Sequence, residues 1–165
     1  MRRWRALGRA LGLALVALIA APVGAREAIG VYKGWGAFRD AQPRRCFAIA
    51  EPVRAGGAGR PFASVADWPG RGLRGSLHIR LSRERDRSAG VTLSIGERRF
   101  ALIADGVDAW AADTASDRAI VAAMRDGRSM SVEAVGAGGH PFADVYALPG
   151  AATAIDAAAL GCAGR

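Results

Sequence analysis

With 165 residues, 51% of them hydrophobic, and a formal charge of +8, the chain can bury one core and is short for a multidomain protein. Lys33 is the single lysine beside twenty-two arginines and asparagine is absent, a bias that GC-rich codon usage produces without any selection for a nucleic-acid partner. The charge itself belongs in part to a leader, as the first residues show.

The N-terminus reads MRRWRALGR, then the apolar run ALGLALVALIAA, then PVGA, with Val23 and Ala25 at the small-residue positions before a cleavage point. This is the layout of a secretory signal peptide over residues 1–25. The apolar run is shorter than the ~20 residues a permanent span needs, and no cysteine follows it to carry a lipid. Removing the first 25 of 165 residues leaves 140 and takes away Arg2, Arg3, Arg5 and Arg9, which lowers the formal charge from +8 to +4.

The stretch GWGAFRDAQPRRCFAIAEP, Gly34 to Pro52, reads as a pair of β-strands, with Trp35 and Ala37 on one face. A glycine loop, AGGAGR, leads into PFASVADWPG, where Phe62 and Trp68 share a face. In LHIRL the apolar Leu77, Ile79 and Leu81 alternate with His78, Arg80 and Ser82. Arg80, Arg83, Arg85 and Arg87 then alternate with Glu84 and Asp86 in a turn-like segment that reads as a solvated, mixed-charge loop. VTLSI and RRFALIA, separated by Gly96 and Glu97, form a tight hairpin, and Asp105-Gly106 and Asp126-Gly127 take the turn duty that asparagine would share.

The period changes to helical over about 116–126. Ser116 or Asp117 is the cap, Ile120, Val121 and Met124 fall on one face, and Gly127 is the expected left-handed stop. GAGGH then leads into PFADVYALPG, which matches PFASVADWPG at six of ten positions, so two hairpins of similar make are expected. A second helix is expected over about 153–160, opened by a Thr153–Asp156 capping box and closed by Gly161. The fold class is mainly β: an antiparallel β-sandwich or partly open barrel with two short α-helices, in a single domain over 26–165.

Two cysteines in an exported chain make one disulfide, Cys46 to Cys162. The rivals are a nucleophilic thiol and a Cys2His2 metal site with His78 and His140, but no CxxC or HxxxH spacing accompanies them. Serines such as Ser76, Ser129 and Ser131 stand in no GxSxG context. Asp105, Asp108, Asp113 and Asp117 each have a turn or cap reason to be aspartate. GWGAFR and AGGAGR lack the remaining residues of a dinucleotide fingerprint or a P-loop, so no cofactor and no catalytic residue is assigned. Among the aromatics Trp35, Phe38, Trp68, Trp110 and Tyr146, packing is the first reading; Trp35, Trp68 and Tyr146 are the candidates for a binding surface.

GWGAF, RRCFAIAEP, the LSIGERRFAL hairpin, DRAIVAAMRDGRSMSVEA and DVYALPGAATAIDAA together resemble the invasion-associated locus B family of exported alphaproteobacterial proteins, over about Gly34 to Cys162. The resemblance implies a small, mainly β periplasmic or secreted domain, and it carries over no catalytic residue. Family members often have further cysteines, near the first tryptophan strand and before the helix; here Arg39 and DAWAAD occupy those neighbourhoods. The expected function is non-enzymatic: binding a protein or other envelope macromolecule, with no nucleic-acid partner and no stable membrane span after cleavage. The alternatives are an acid-base hydrolase with converged carboxylates and an enzyme inhibitor presenting the loop from Arg54 to Pro61.

Overall fold

Strands form where apolar and polar residues alternate, and the alternation decides which face of each strand is covered. The computed structural model describes residues 26–163, so the signal peptide expected over 1–25 lies outside the described residues. The strands are β1 (Glu27–Tyr32), β2 (Trp35–Asp40), β3 (Arg45–Ala50), β4 (Phe62–Trp68), β5 (Leu73–Arg80), β6 (Val91–Ile95), β7 (Arg98–Asp105), β8 (Asp108–Ala111), β9 (Ser129–Val135) and β10 (Pro141–Ala147); the helices are α1 (Thr114–Asp126) and α2 (Ala151–Ala163).

All ten strands join one sheet in the order β1-β2-β3-β4-β5-β8-β7-β6-β9-β10, and every pairing is antiparallel. The sheet does not close, but it curls until its last strand meets the chain leaving β3: Val53 N–H donates to the Val145 carbonyl and Val145 N–H to that of Arg54, each at 2.8 Å. Trp35 Nε1 adds a bond to the Ala147 carbonyl at 2.8 Å, tying β2 to the end of β10. This is the mainly β, partly open architecture expected. The two PF hairpins are present too, as β3 with β4 and β9 with β10.

One face of the sheet carries both helices. α2 lies across β1 to β4, where the strands offer fully buried Ala37, Ala48 and Ala63 and the helix offers Ala151, Ala154 and Ala158. Small residues on both surfaces let the helix sit close, and the same closeness explains Gly161, where a Cβ would lie 2.6 Å from Ile29 Cδ1. α1 covers β5, β7 and β8 with Ile120 and Met124.

The helix termini differ from expectation. α1 begins two residues earlier than expected, because Asp113 is the N-cap and its carboxylate accepts from Ser116 N–H at 2.7 Å. Gly127 is extended (φ −79°, ψ 159°) rather than left-handed. It is glycine for space, since a Cβ would stand 2.8 Å from Leu148 and 2.9 Å from Ile95. In α2, Thr153 and Gly161 lie inside the helix, so neither the capping box nor the glycine stop forms.

Gly150 connects β10 to α2 with φ +95°, and a Cβ there would collide with the Tyr32 carbonyl oxygen. Backbone cannot move aside as a side chain can, so Gly150→Ala combines left-handed strain with a steric clash. A loss of ~3 kcal/mol in urea unfolding is expected. A change below ~0.5 kcal/mol would show that the β10–α2 connection relaxes freely.

The loop from Arg54 to Pro61 does not project. Gly59 N–H donates to the Ser82 carbonyl at 2.8 Å, and Gly56 N–H donates to the buried Asp144 carboxylate at 2.8 Å. A Cβ at Gly57 or Gly59 would lie 2.6 Å from the Ser82 oxygen, so the glycines let this loop lie flat on its neighbours. The segment expected to be a solvated mixed-charge loop is also partly structural. Arg85 donates to the carbonyls of Asp86, Arg87, Ala89 and Ala104 at 2.6–3.2 Å, and Arg83 lies over the Phe142 ring.

Candidate binding face

The face opposite the helices is built by register. Phe38, Phe47, Ala66 and Ser76 stand opposite one another across β2, β3, β4 and β5. One step along, Ile49, Ser64, His78, Trp110 and Ile103 form a parallel row across β3, β4, β5, β8 and β7. Because side chains alternate with period two, a residue in either row places its chain neighbours on the covered side.

Within the second row, the His78 imidazole stacks on the Trp110 indole, with centroids 5.4 Å apart and planes 7° from parallel. Phe62 meets the same imidazole edge-on at 5.1 Å. Asp108, two residues before Trp110 on β8 and so on the same face, holds the ring through a 2.8 Å contact between its Oδ1 and His78 Nε2, and Arg80 lies 3.5 Å from the same oxygen. The outcome is a ridge whose outer members stay open to solvent, Trp110 at 38% and Ile103 at 57%.

The first row is a cation–aromatic ladder. Phe38 stacks on Phe47 at 5.7 Å, Arg26 and Arg45 lie over the Phe47 ring at 4.9 and 4.5 Å, and Arg45 also reaches Trp68 at 5.2 Å. Arg71 also lies over the Trp68 ring, at 5.1 Å. Asp40 anchors the ladder by accepting from both Arg26 and Arg45. The Arg26 guanidinium, and after it Arg45, hold the Asp40 carboxyl below the usual carboxylate range.

Two of the three candidate binding aromatics belong elsewhere. Trp35 and Tyr146 are 0% exposed and project into the core on the helix side, so neither can touch a partner in this state. Burial, and then the Asp144 carboxylate, push the Tyr146 phenol above its ordinary range, as expected for a hydroxyl held neutral in the core. Trp68 does lie on the open face, half-buried against its two arginines. Sequence reasoning placed Trp110 among the aromatics but did not single it out, and it set His78 only on the polar side of LHIRL. The missing information was the pairing of β5 with β8, which sets residues about thirty positions apart side by side.

The cysteines form the expected bridge, Cys46 to Cys162, with an S–S distance of 2.05 Å and Cα atoms 5.7 Å apart. The thiols are therefore neither nucleophile nor metal ligand. Among the described residues, no group of three or more His, Cys, Asp or Glu side chains is placed to hold a metal ion. Three of the four acids considered for a catalytic pair have separate tasks: Asp108 holds His78, Asp113 caps α1, and Asp117 accepts from Leu77 N–H at 2.8 Å. Burial, with a smaller push from Asp113, raises the Asp117 carboxyl against the pull of that amide.

No protein-family model matches this chain, and no curated protein matches it. Among solved structures, the crystal structure of invasion associated protein B from Bartonella henselae is similar, with a TM-score of 0.57. The match covers 80% of this chain and 96% of that one at 18% identity. At that identity the likeness establishes a shared fold.

Proposed function

We propose that the protein is an exported, non-enzymatic binding module of the envelope, related to the invasion-associated locus B proteins, and that it docks a protein partner on the helix-free face of its sheet. The observation that carries this reading is the row His78–Trp110–Ile103, an aromatic-aliphatic ridge whose imidazole Asp108 holds on the same face, with Trp110 and Ile103 exposed to solvent. Rigid aromatics lose little entropy on binding and dominate the energetics of interfaces. Arg80, paired with Asp108, stands beside the ridge, and Arg99 lies on the same face of β7 as Ile103, which favours a partner with an apolar centre and a carboxylate rim.

Export is supported by the disulfide, which persists in oxidising compartments. The likeness in fold to invasion associated protein B agrees with an envelope location. Neither alternative has comparable support: the candidate inhibitory loop lies flat, and Asp108, Asp113 and Asp117, three of the four carboxylates named for hydrolysis, are engaged by His78 and by backbone amides.

The test is affinity capture from an envelope extract with the wild type, Trp110→Ala and Ile103→Arg in parallel. Ile103→Arg, at the more exposed position, is expected to keep its unfolding midpoint, and Trp110→Ala, which loses the stack on His78, to stay folded with a midpoint lower by a few degrees. A protein captured by the wild type and weakened ~30-fold or more by either change supports the reading, in line with the ~2 kcal/mol or more of a central interface residue. Equal recovery of every captured protein by all three chains would remove this face as the docking site.

A further inference from the structure

On the helix-free face, β4 presents four side chains in the order large, small, small, large: Phe62, Ser64, Ala66 and Trp68. Phe47 and Ser76 stand on either side of Ala66, and Ile49 and His78 on either side of Ser64. The two small side chains are thus the floor of a depression, with rings at both ends, Phe47 and Ile49 along one side and His78 along the other. Ser64 and Ala66 are each only 7% exposed, although Ala66 lies outside the hydrophobic core, so it is the taller neighbours rather than a helix that shield them.

A side-chain hydroxyl this far from water ordinarily has a hydrogen-bond partner. Among the described residues, that of Ser64 has none. The unpartnered hydroxyls that are also sealed from solvent are those of Ser82 and Tyr146, so the Ser64 oxygen is turned to the opening of the depression. The polar groups nearest to it are already engaged: His78 gives Nε2 to Asp108 on β8, and Arg45, at the Trp68 end, donates to Asp40. What remains is an apolar hollow with one hydroxyl at its base.

We infer that this hollow is a socket for one tyrosine side chain of the partner protein, its ring between Ile49 and His78 and its phenolic hydroxyl bonded to Ser64 Oγ; the assignment rests on protein docking at this face. Two floor residues, two apart along one strand, span ~7 Å, which leaves room for a single ring. A leucine or phenylalanine would fill the space but cover the Ser64 hydroxyl without giving it a partner. A carboxylate or ammonium would give up its water against Phe47, Ile49 and Phe62 with one hydroxyl in return. A phenol supplies an apolar body together with a group that both donates and accepts, as the serine hydroxyl does. Tyrosine is also among the residues that anchor interfaces most strongly.

Nitrogen-15 NMR titration of the oxidised protein with N-acetyltyrosinamide and N-acetylphenylalaninamide tests this. The tyrosine probe should saturate with a dissociation constant on the order of 1–10 mM, moving the amides of Ile49, Ser64, Ala66 and His78 most, and the phenylalanine probe should bind about threefold to tenfold more weakly. Ser64→Ala should bring the two probes to within about twofold of each other, and Ala66→Leu, which raises the floor, should weaken the tyrosine probe about fivefold or more. Ile103→Arg lies three strands from Ser64 along the row, ~14 Å away, and should bind the probe as the wild type does. The socket is refuted if the tyrosine probe does not saturate, if the wild type binds both probes equally, or if Ser64→Ala keeps the preference; tighter binding of N-acetylglucosamine would overturn it in favour of a sugar site. Failure of the probe while Ile103→Arg still weakens the captured protein would remove the socket and leave the docking face standing. Probe binding as expected, with capture unaltered by Trp110→Ala and Ile103→Arg, would instead remove the docking face and with it the partner's tyrosine.

Discussion

Replacing Cys46 and Cys162 together by alanine is expected to destabilise the protein by ~4–5 kcal/mol and to lower its unfolding midpoint by roughly 10–20 °C. The bridge spans 116 residues, and in the chain-entropy account the closed loop of an unfolded chain loses more freedom the longer it is. Two neighbouring arginines act with the bridge. Arg39 donates to the Gly161 carbonyl at 3.4 Å and Arg44 to that of Cys162 at 3.0 Å, so both satisfy carbonyls at the α2 C-terminus and place positive charge where the helix dipole favours it. The stretch from Gly34 to Pro52 is thus a clasp for the last helix, and its dense cations and cysteine have a structural cause. Hydrogen exchange in the double variant should speed up first over α2. A midpoint shift under ~3 °C in calorimetry would show that helix-on-sheet packing alone holds the two ends of the chain together.

What was legible in the sequence was what depends on local period. LHIRL and VTLSI alternate cleanly and turn their apolar sets inward, whereas RRFALIA became β7 with Leu102 inward and Ile103 on the open face; Gly96 with φ +57° closes the hairpin between the last two. The disulfide followed from there being only two cysteines to pair. What failed depended on distant parts of the chain. Trp35 and Tyr146 sit on strands whose alternation is plain, but alternation does not say which face will receive a helix, and α2, more than a hundred residues from Trp35, made that side the core. Gly161 looked like a helix stop because glycine ends most helices it follows; here it continues one, since Ile29 leaves no room for a Cβ. Thr153 and Asp156 have the spacing of a capping box, yet the Ala151 amide already bonds to the Leu148 carbonyl and Ala154 to that of Gly150, so the helix starts before Thr153 can cap it. The ridge at His78 and Trp110 was hidden for the same reason: the chain leaves β5, makes two further strands, and returns as β8 before the rings meet.

The last expected result concerns a residue that carries no signal in the sequence. Asp144 is 0% exposed, and its two carboxylate oxygens accept from Gly56 N–H and Ser82 N–H, each at 2.8 Å. These donors come from separate segments, 88 and 62 residues away, so one side chain pins both the glycine loop and the end of β5 to β10. Asp144→Ala would bury two amides without an acceptor, and bonds to a charged group are worth ~1.5–3 kcal/mol each, so a loss of about 3–5 kcal/mol is expected in urea unfolding. Asp144→Asn retains one acceptor oxygen and should fall between. The control is Tyr146→Phe, two residues along on the same buried face: its hydroxyl has no hydrogen-bond partner, so removing it strands nothing and should leave stability within ~1 kcal/mol of the wild type or raise it. If Tyr146→Phe proved as damaging as Asp144→Ala, side-chain volume in this layer rather than satisfaction of the two amides would govern its stability. If the expected order holds, limited proteolysis of Asp144→Ala should cut first within Arg54 to Pro61, because that loop lies flat only while Asp144 and the Ser82 carbonyl hold its backbone.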